Sequence, residues 1–267
     1  MNKLTDHLRV CILPLEIVQD DKAANLHAVE TAFHKLPEKT DIVVLPELFS
    51  TGFISDNEKI NELAEKNTGF TIDFLKKLAA RYSTAIAGSF LAHTHPHFYN
   101  RAFFIEPNGD ETFYDKRHLF SVSQEAQVLA PGKLKSKIIR FRGWNISMII
   151  CYDLRFPVWT RTVGKNYDIL LVPANWPKSR KYAWEHLLIA RAIENQCSVV
   201  GADRGGTDKY GQYDDMSFIF NHMGEPVGYQ AECSPFICAD LSKDLQEEYR
   251  SSFPAWTDAD DFQILQP

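Results

Sequence analysis

The stretch NISMIICYDLRFP, residues 145 to 157, runs apolar and then stops on Cys151, with Tyr152, Asp153 and Arg155 directly behind it. A short isoleucine-rich run of this kind predicts a buried strand. Ligand sites of α/β proteins lie beyond the carboxyl ends of such strands, so the thiol stands where chemistry is usually placed. Working outward, KIIRF and NISMII flank Arg142-Gly143 as a tight hairpin. Downstream come a short helix from Pro157, the strand DILLVPA, the helix KYAWEHLLIARAIENQ and the strand SVVGAD.

The first half has the same alternation. LRVCILPL (8–15), DIVVLP (41–46) and STAIAGSF (83–90) read as strands. Between them, residues 21–36 place Leu26, Val29, Phe33 and Leu36 on one helical stripe, and residues 71–82 do so with Ile72, Leu75, Leu78 and Tyr82. YNRAFFIEP and ETFYDKRHL form a hairpin about Asn108-Gly109-Asp110, and FIFNHMGEPVGY and PFICADL close the sheet region. No repeat or linker interrupts the pattern, which predicts one α/β domain over 1–267, two sheets with helices outside them, and a tail from Thr257 to Pro267.

Composition narrows the function. Of the 267 residues 45% are hydrophobic, enough for a large core, and the net charge of −6 argues against general nucleic-acid binding. The basic runs KLKSK and KSRK read as solvated loops. No apolar run suggests a signal peptide or membrane span, so the expectation is a cytoplasmic protein. Its five cysteines, Cys11, Cys151, Cys197, Cys233 and Cys238, show no zinc spacing. Reduced thiols are expected, with no disulfide framework and with Cys11, Cys197 and Cys238 as core filler.

Three strands end on chemistry-bearing residues: DIVVLP on Glu47, ETFYD on Lys116 and NISMII on Cys151. A carboxylate, an ammonium and a thiol at one sheet edge would equip acyl transfer through cysteine. Glu47 would take the thiol proton, while Lys116 and the Tyr152 N–H would hold the oxyanion. Taken singly, each residue has an ordinary structural reading, and their spacing alone places none beside another.

LPELFSTGF, YDKRHLF and ICYDLRFP, in that order, resemble the three catalytic segments of the nitrilase superfamily of carbon–nitrogen hydrolases, and VPANWP and ARAIENQ extend the similarity over nearly the whole chain. The resemblance implies a four-layer α-β-β-α sandwich, commonly a homodimer, with Glu47, Lys116 and Cys151 as catalytic residues and no metal or organic cofactor. It adds Glu125, six positions before Pro131, as a second glutamate that orients Lys116. His118 is expected to pack rather than react.

ELFSTGF, CYDLRFPVW, NWP and the closing EYRSSFPAWTDADDF are most similar to the bacterial omega-amidase branch. That branch implies deamidation of small α-keto dicarboxylic acid monoamides, α-ketoglutaramate and α-ketosuccinamate. Arg155 is a candidate receptor for the substrate carboxylate, with an ion pair to Asp153 or another acid as the alternative. Phe49, Phe53 and Trp176 are candidate pocket walls, with core packing as the alternative. Asp203 departs from the usual Asn and Asp215-Met216-Ser217 from Gly-Asp-Ser, which would bring awkward acidity if that loop approaches an anionic substrate. The rival readings are another amidase or N-carbamoyl amide hydrolase of the superfamily, and a non-catalytic binding protein on the same fold.

Overall fold

The computed structural model describes residues 6–53 and 57–264 of the chain. Residues 1–5 of the polar N-terminal stretch and 265–267 of the expected tail lie outside them. In chain order the strands are β1 (His7–Ile12), β2 (Ile42–Val44), β3 (Ala85–Thr94), β4 (His97–Ile105), β5 (Glu111–Asp115), β6 (Ile139–Phe141), β7 (Trp144–Met148), β8 (Ile169–Pro173), β9 (Ser198–Ala202), β10 (Gly205–Asp208), β11 (Gly211–Asp214), β12 (Phe218–Phe220), β13 (Tyr229–Gln230) and β14 (Ile237–Ser242). The helices are α1 (Lys22–Phe33), α2 (Asn57–Leu63), α3 (Phe70–Tyr82), α4 (Glu125–Val128), α5 (Pro157–Thr160), α6 (Lys181–Asn195) and α7 (Lys243–Ser252).

They build a seven-stranded sheet, ordered β13-β14-β1-β2-β3-β4-β5, and a five-stranded sheet, ordered β12-β9-β8-β7-β6. Alternation along each strand assigns the layers. Val10, Ile12, Ile42, Val44, Ala85 and Ala87 turn inward to meet Ile146, Met148, Ile169 and Leu171 of the second sheet. Their neighbours Cys11, Val43 and Ile86 turn outward beneath Leu26, Val29 and Phe33 of α1 and Ile72, Leu75 and Leu78 of α3. Trp184, Leu188 and Ala192 of α6 cover the other face of the second sheet. The result is the four-layer α-β-β-α sandwich.

Both hairpins read from the sequence form, β4–β5 and β6–β7. After a 3-10 turn at Ala255–Asp258, residues 259–264 have no regular structure. Phe262 there lies 5.4 Å beneath the Lys135 ammonium, and Ile264 packs on the inter-sheet core.

The cysteine expectation needs correction. β1 and β14 are antiparallel neighbours with Cys11 opposite Cys238, and the two sulfurs are joined as a disulfide. They are 227 residues apart in sequence, so only the closure of the sheet by the last strand brings them together. Cys151, Cys197 and Cys233 are free.

Candidate active site

The three strand ends that carry Glu47, Lys116 and Cys151 converge between the sheets. The Lys116 Nζ donates to Glu47 Oε1 at 2.7 Å and to the two oxygens of Glu125 at 2.9 and 3.1 Å. All three side chains are buried. Glu47 and the Cys151 thiol line the same cavity, close enough for the carboxylate charge to act on the sulfur. The sulfur lies 4.0 Å from the Asn175 carbonyl oxygen, which accepts from it.

Backbone geometry sets these groups in place. Cys151 has φ of 44° where the strand turns into the 3-10 segment Cys151–Arg155, and Leu48, next to Glu47, has φ of 47°. Left-handed backbone at non-glycine residues costs free energy and persists only where surrounding structure enforces it. Lys116 follows the last residue of β5. Its carbonyl accepts from Gly132 N at 2.8 Å, and a Cβ on Gly132 would fall 2.0 Å from the Asp115 carbonyl oxygen, so only glycine passes there.

Glu125 opens α4, and its Oε2 accepts from Phe120 N at 2.6 Å, which ties the 116–125 segment into a closed loop around the ammonium. Two asparagines complete the cage. Asn100 Nδ2 donates to Glu47 Oε1 at 2.7 Å, and Asn175 N donates to Glu47 Oε2 at 2.8 Å. Neither was singled out in the sequence. The signal was present, since Asn175 lies within VPANWP and Asn100 within YNR, but isolated asparagines carry no pattern.

The electrostatics follow from burial. Burial alone would pull the Lys116 ammonium down, but the charges of Glu125 and Glu47 outweigh it and hold it well above its ordinary value. Burial pushes the Cys151 thiol well up, the Glu47 charge adds to that, and Lys116 opposes it. The resting site is therefore a neutral thiol beside a carboxylate and a locked ammonium.

Glu47, Lys116, Cys151, Tyr152, Arg155 and Trp176 line an inner cavity of about 40 Å³. Phe53, Phe120, Asn175, Pro177 and Arg180 border both that cavity and an outer one of about 420 Å³, which Tyr210 and Tyr213 also line. Phe53 and Trp176 thus stand at the cavity. Phe49 does not: it is buried in the core beneath α1 and α3, 5.9 Å from Phe103.

Arg155 lies with its guanidinium 4.8 Å above the Trp176 ring. Asp153 is committed elsewhere, to the Tyr114 hydroxyl at 2.7 Å and the His118 N–H at 2.8 Å, so it does not pair with Arg155. His118 stacks on Phe156 at 3.8 Å, a packing position. Arg180, 5.2 Å over the Phe120 ring, is a second cation at the neck that sequence reading passed over as part of a solvated loop.

The acidity expected from the 201–217 loop does not reach the substrate space. Asp203 Oδ1 accepts from Trp176 N at 2.7 Å, and burial drives the carboxyl well above the usual range. Neither Asp203 nor Asp215 lines either cavity.

The family model for carbon-nitrogen hydrolases matches residues 9–250. The chain belongs to the carbon–nitrogen hydrolase family. This hydrolase is 38% identical over 259 residues to the omega-amidase YafV of Escherichia coli K12, covering 96% of this chain and 98% of that protein. It is 32% identical over 254 residues to the 2-oxoglutaramate amidase of Bacillus subtilis, covering 93% of this chain and 96% of the relative. Its fold is similar to that of XC1258 from Xanthomonas campestris, a CN-hydrolase superfamily protein with an arsenic adduct in its active site. The TM-score is 0.91 at 34% identity, with 97% of this chain and 100% of that one covered.

Proposed function

We propose that the protein is an omega-amidase that hydrolyses the terminal carboxamide of small α-keto dicarboxylic acid monoamides to the diacid and ammonia. The observation that carries the reading is the Cys151 thiol in one cavity with Glu47 and Lys116, the ammonium locked between Glu47 and Glu125, and two arginines at the border. The kinship with omega-amidase and 2-oxoglutaramate amidase supports the choice of substrate.

In this scheme Glu47 takes the Cys151 proton as sulfur attacks the carboxamide carbon, and Lys116 with the Tyr152 N–H receives the developing oxyanion. Glu47 returns the proton to nitrogen, the C–N bond breaks and ammonia leaves a thioester on Cys151. Water, deprotonated by Glu47, then attacks the thioester and releases the acid and the thiol. Glu125 does not touch the substrate; its two contacts aim the Lys116 ammonium. Arg155 receives the distant carboxylate, with Phe53 and Trp176 as walls.

The reading extends to a cytoplasmic homodimer. A reducing compartment preserves the free Cys151 thiol, and the Cys11–Cys238 disulfide, both residues fully buried, is shielded from its reductants. For the dimer, Tyr182 and Ile193 are exposed, and three helical turns put them on one face of α6, an apolar strip suited to a second copy. The test is ammonia release across α-ketoglutaramate, α-ketosuccinamate, glutamine, asparagine and a carbamoyl amino acid, with mass spectrometry for an acyl group on Cys151. Preference for the keto acids and a trapped Cys151 thioester are expected. Carbon dioxide beside ammonia from the carbamoyl compound, with the keto amides inert, would overturn the substrate choice.

A further inference from the structure

Asn175 has more bonding capacity than the protein uses. It is 8% exposed, its N–H donates to Glu47 Oε2 at 2.8 Å, and its side-chain Nδ2 donates to the Glu47 carbonyl at 3.0 Å. That second bond fixes which end of the amide is nitrogen. The remaining atom, Oδ1, is buried and has no hydrogen-bond partner among the described residues. A buried acceptor left unpaired is a cost that native proteins rarely carry without a reason.

Its location supplies the reason. Asn175 borders both the inner cavity and the outer one, and its own carbonyl lies 4.0 Å from the Cys151 sulfur. We propose that Asn175 Oδ1 accepts a hydrogen bond from the substrate's carboxamide N–H, and that it makes the site selective for primary amides over esters.

A primary amide bound for attack presents its carbonyl oxygen to Lys116 and two N–H donors on the other side of the reacting carbon. Glu47, whose oxygens are already held by Lys116, Asn100 and Asn175, must keep a lone pair for the thiol proton. A separate neutral acceptor lets one N–H be held without using the base. It stays a good acceptor as the nitrogen gains its proton and the C–N bond breaks, because the departing nitrogen keeps its N–H groups throughout. An ester offers an oxygen with no hydrogen at the same place, and Oδ1 would face it lone pair to lone pair.

The inference rests on the amidase reading above, and the test separates the two. The probes are α-ketoglutaramate and the ω-monomethyl ester of the same keto diacid, each with wild-type protein and Asn175→Ala. The variant should lose at least about tenfold in the ratio of amide to ester kcat/KM, the size of one good hydrogen bond to substrate. An unchanged ratio overturns the inference, and because a weakened Glu47 would also slow the amide more than the ester, the complex of Cys151→Ala with α-ketoglutaramate decides between bracing and direct contact. Wild-type protein inert toward both probes would bring down the amidase reading and this inference with it.

Should Asn175→Ala not fold, the crystal structure of Cys151→Ala with α-ketoglutaramate decides with Asn175 intact. The amide nitrogen should lie within about 3.2 Å of Asn175 Oδ1, and a nitrogen beyond hydrogen-bond distance refutes the assignment.

Discussion

Cys151 and Cys197 are both free, buried thiols beside the same five-stranded sheet, and each has a buried cation–carboxylate pair nearby. For Cys197 the pair is Arg250 and Asp168, 2.8 Å apart, with Arg250 also donating to the Gln196 and Tyr167 carbonyls at 2.9 Å. Burial pushes both thiols well up. What separates them is access and a carboxylate in the same cavity. Cys151 follows the carboxyl end of β7 and borders a cavity that Glu47 and Lys116 also line. Cys197 precedes the amino end of β9, packs in the core and donates to the Arg191 carbonyl at 3.8 Å, while Asp168 is consumed by Arg250, Lys243 and Asn145 N. Burial with a charge pair therefore does not make a nucleophile. On the proposed mechanism, a strand's carboxyl end and a cavity shared with a carboxylate do.

The widest contrast is between alanine substitutions of the two thiols. Cys151→Ala should lower kcat for amide hydrolysis by about four orders of magnitude or more, since no other group can carry the acyl intermediate. Cys197→Ala should leave kcat/KM near the wild-type value and cost about 1 kcal/mol of stability, the loss of one small buried group. Ammonia release and thermal unfolding read both. A Cys151→Ala enzyme that still releases ammonia would erase the distinction.

The cations sharpen the contrast. Lys116→Met should cost about 10² to 10³ in kcat by removing an oxyanion donor, and should also destabilise, because Glu47 and Glu125 would face each other buried and unneutralised. Arg250→Met should cost about 3–5 kcal/mol of stability by stranding Asp168, while kcat per folded molecule stays near wild type. Denaturation midpoints measured with active-site titration separate these outcomes. A large fall in kcat for folded Arg250→Met would mean the two clusters are coupled.

Much of this was legible before any coordinates. The strands carrying Glu47, Lys116 and Cys151 announce themselves by apolar runs that stop on reactive side chains, and both hairpins by their turn residues. Family resemblance, not periodicity, supplied the four layers and Glu125. Sequence could not show the Asn100 and Asn175 cage, because those bonds join segments as much as 128 positions apart. The same holds for the Cys11–Cys238 disulfide, which exists only because the last long strand returns beside the first. Phe49 shows the limit of residue type as a guide: an aromatic two positions from a catalytic candidate falls on the core side of the turn, whereas Phe53, four positions further on, borders the cavity.

The smallest expected effect probes the charge of Glu47 on the Cys151 thiol. With burial and the Glu47 charge both raising the Cys151 thiol, the neutral form persists to higher pH than for an ordinary cysteine, so iodoacetamide alkylation should keep rising beyond the ordinary thiol range. Glu47→Gln removes the charge but keeps the shape and leaves Lys116, which favours thiolate, in place. The alkylation limb should then move to lower pH, even as amide turnover falls for want of a base. Mass spectrometry of Cys151 labelling against pH reads the midpoint without requiring catalysis. A limb that stays fixed would mean that Glu47 is not coupled to the thiol.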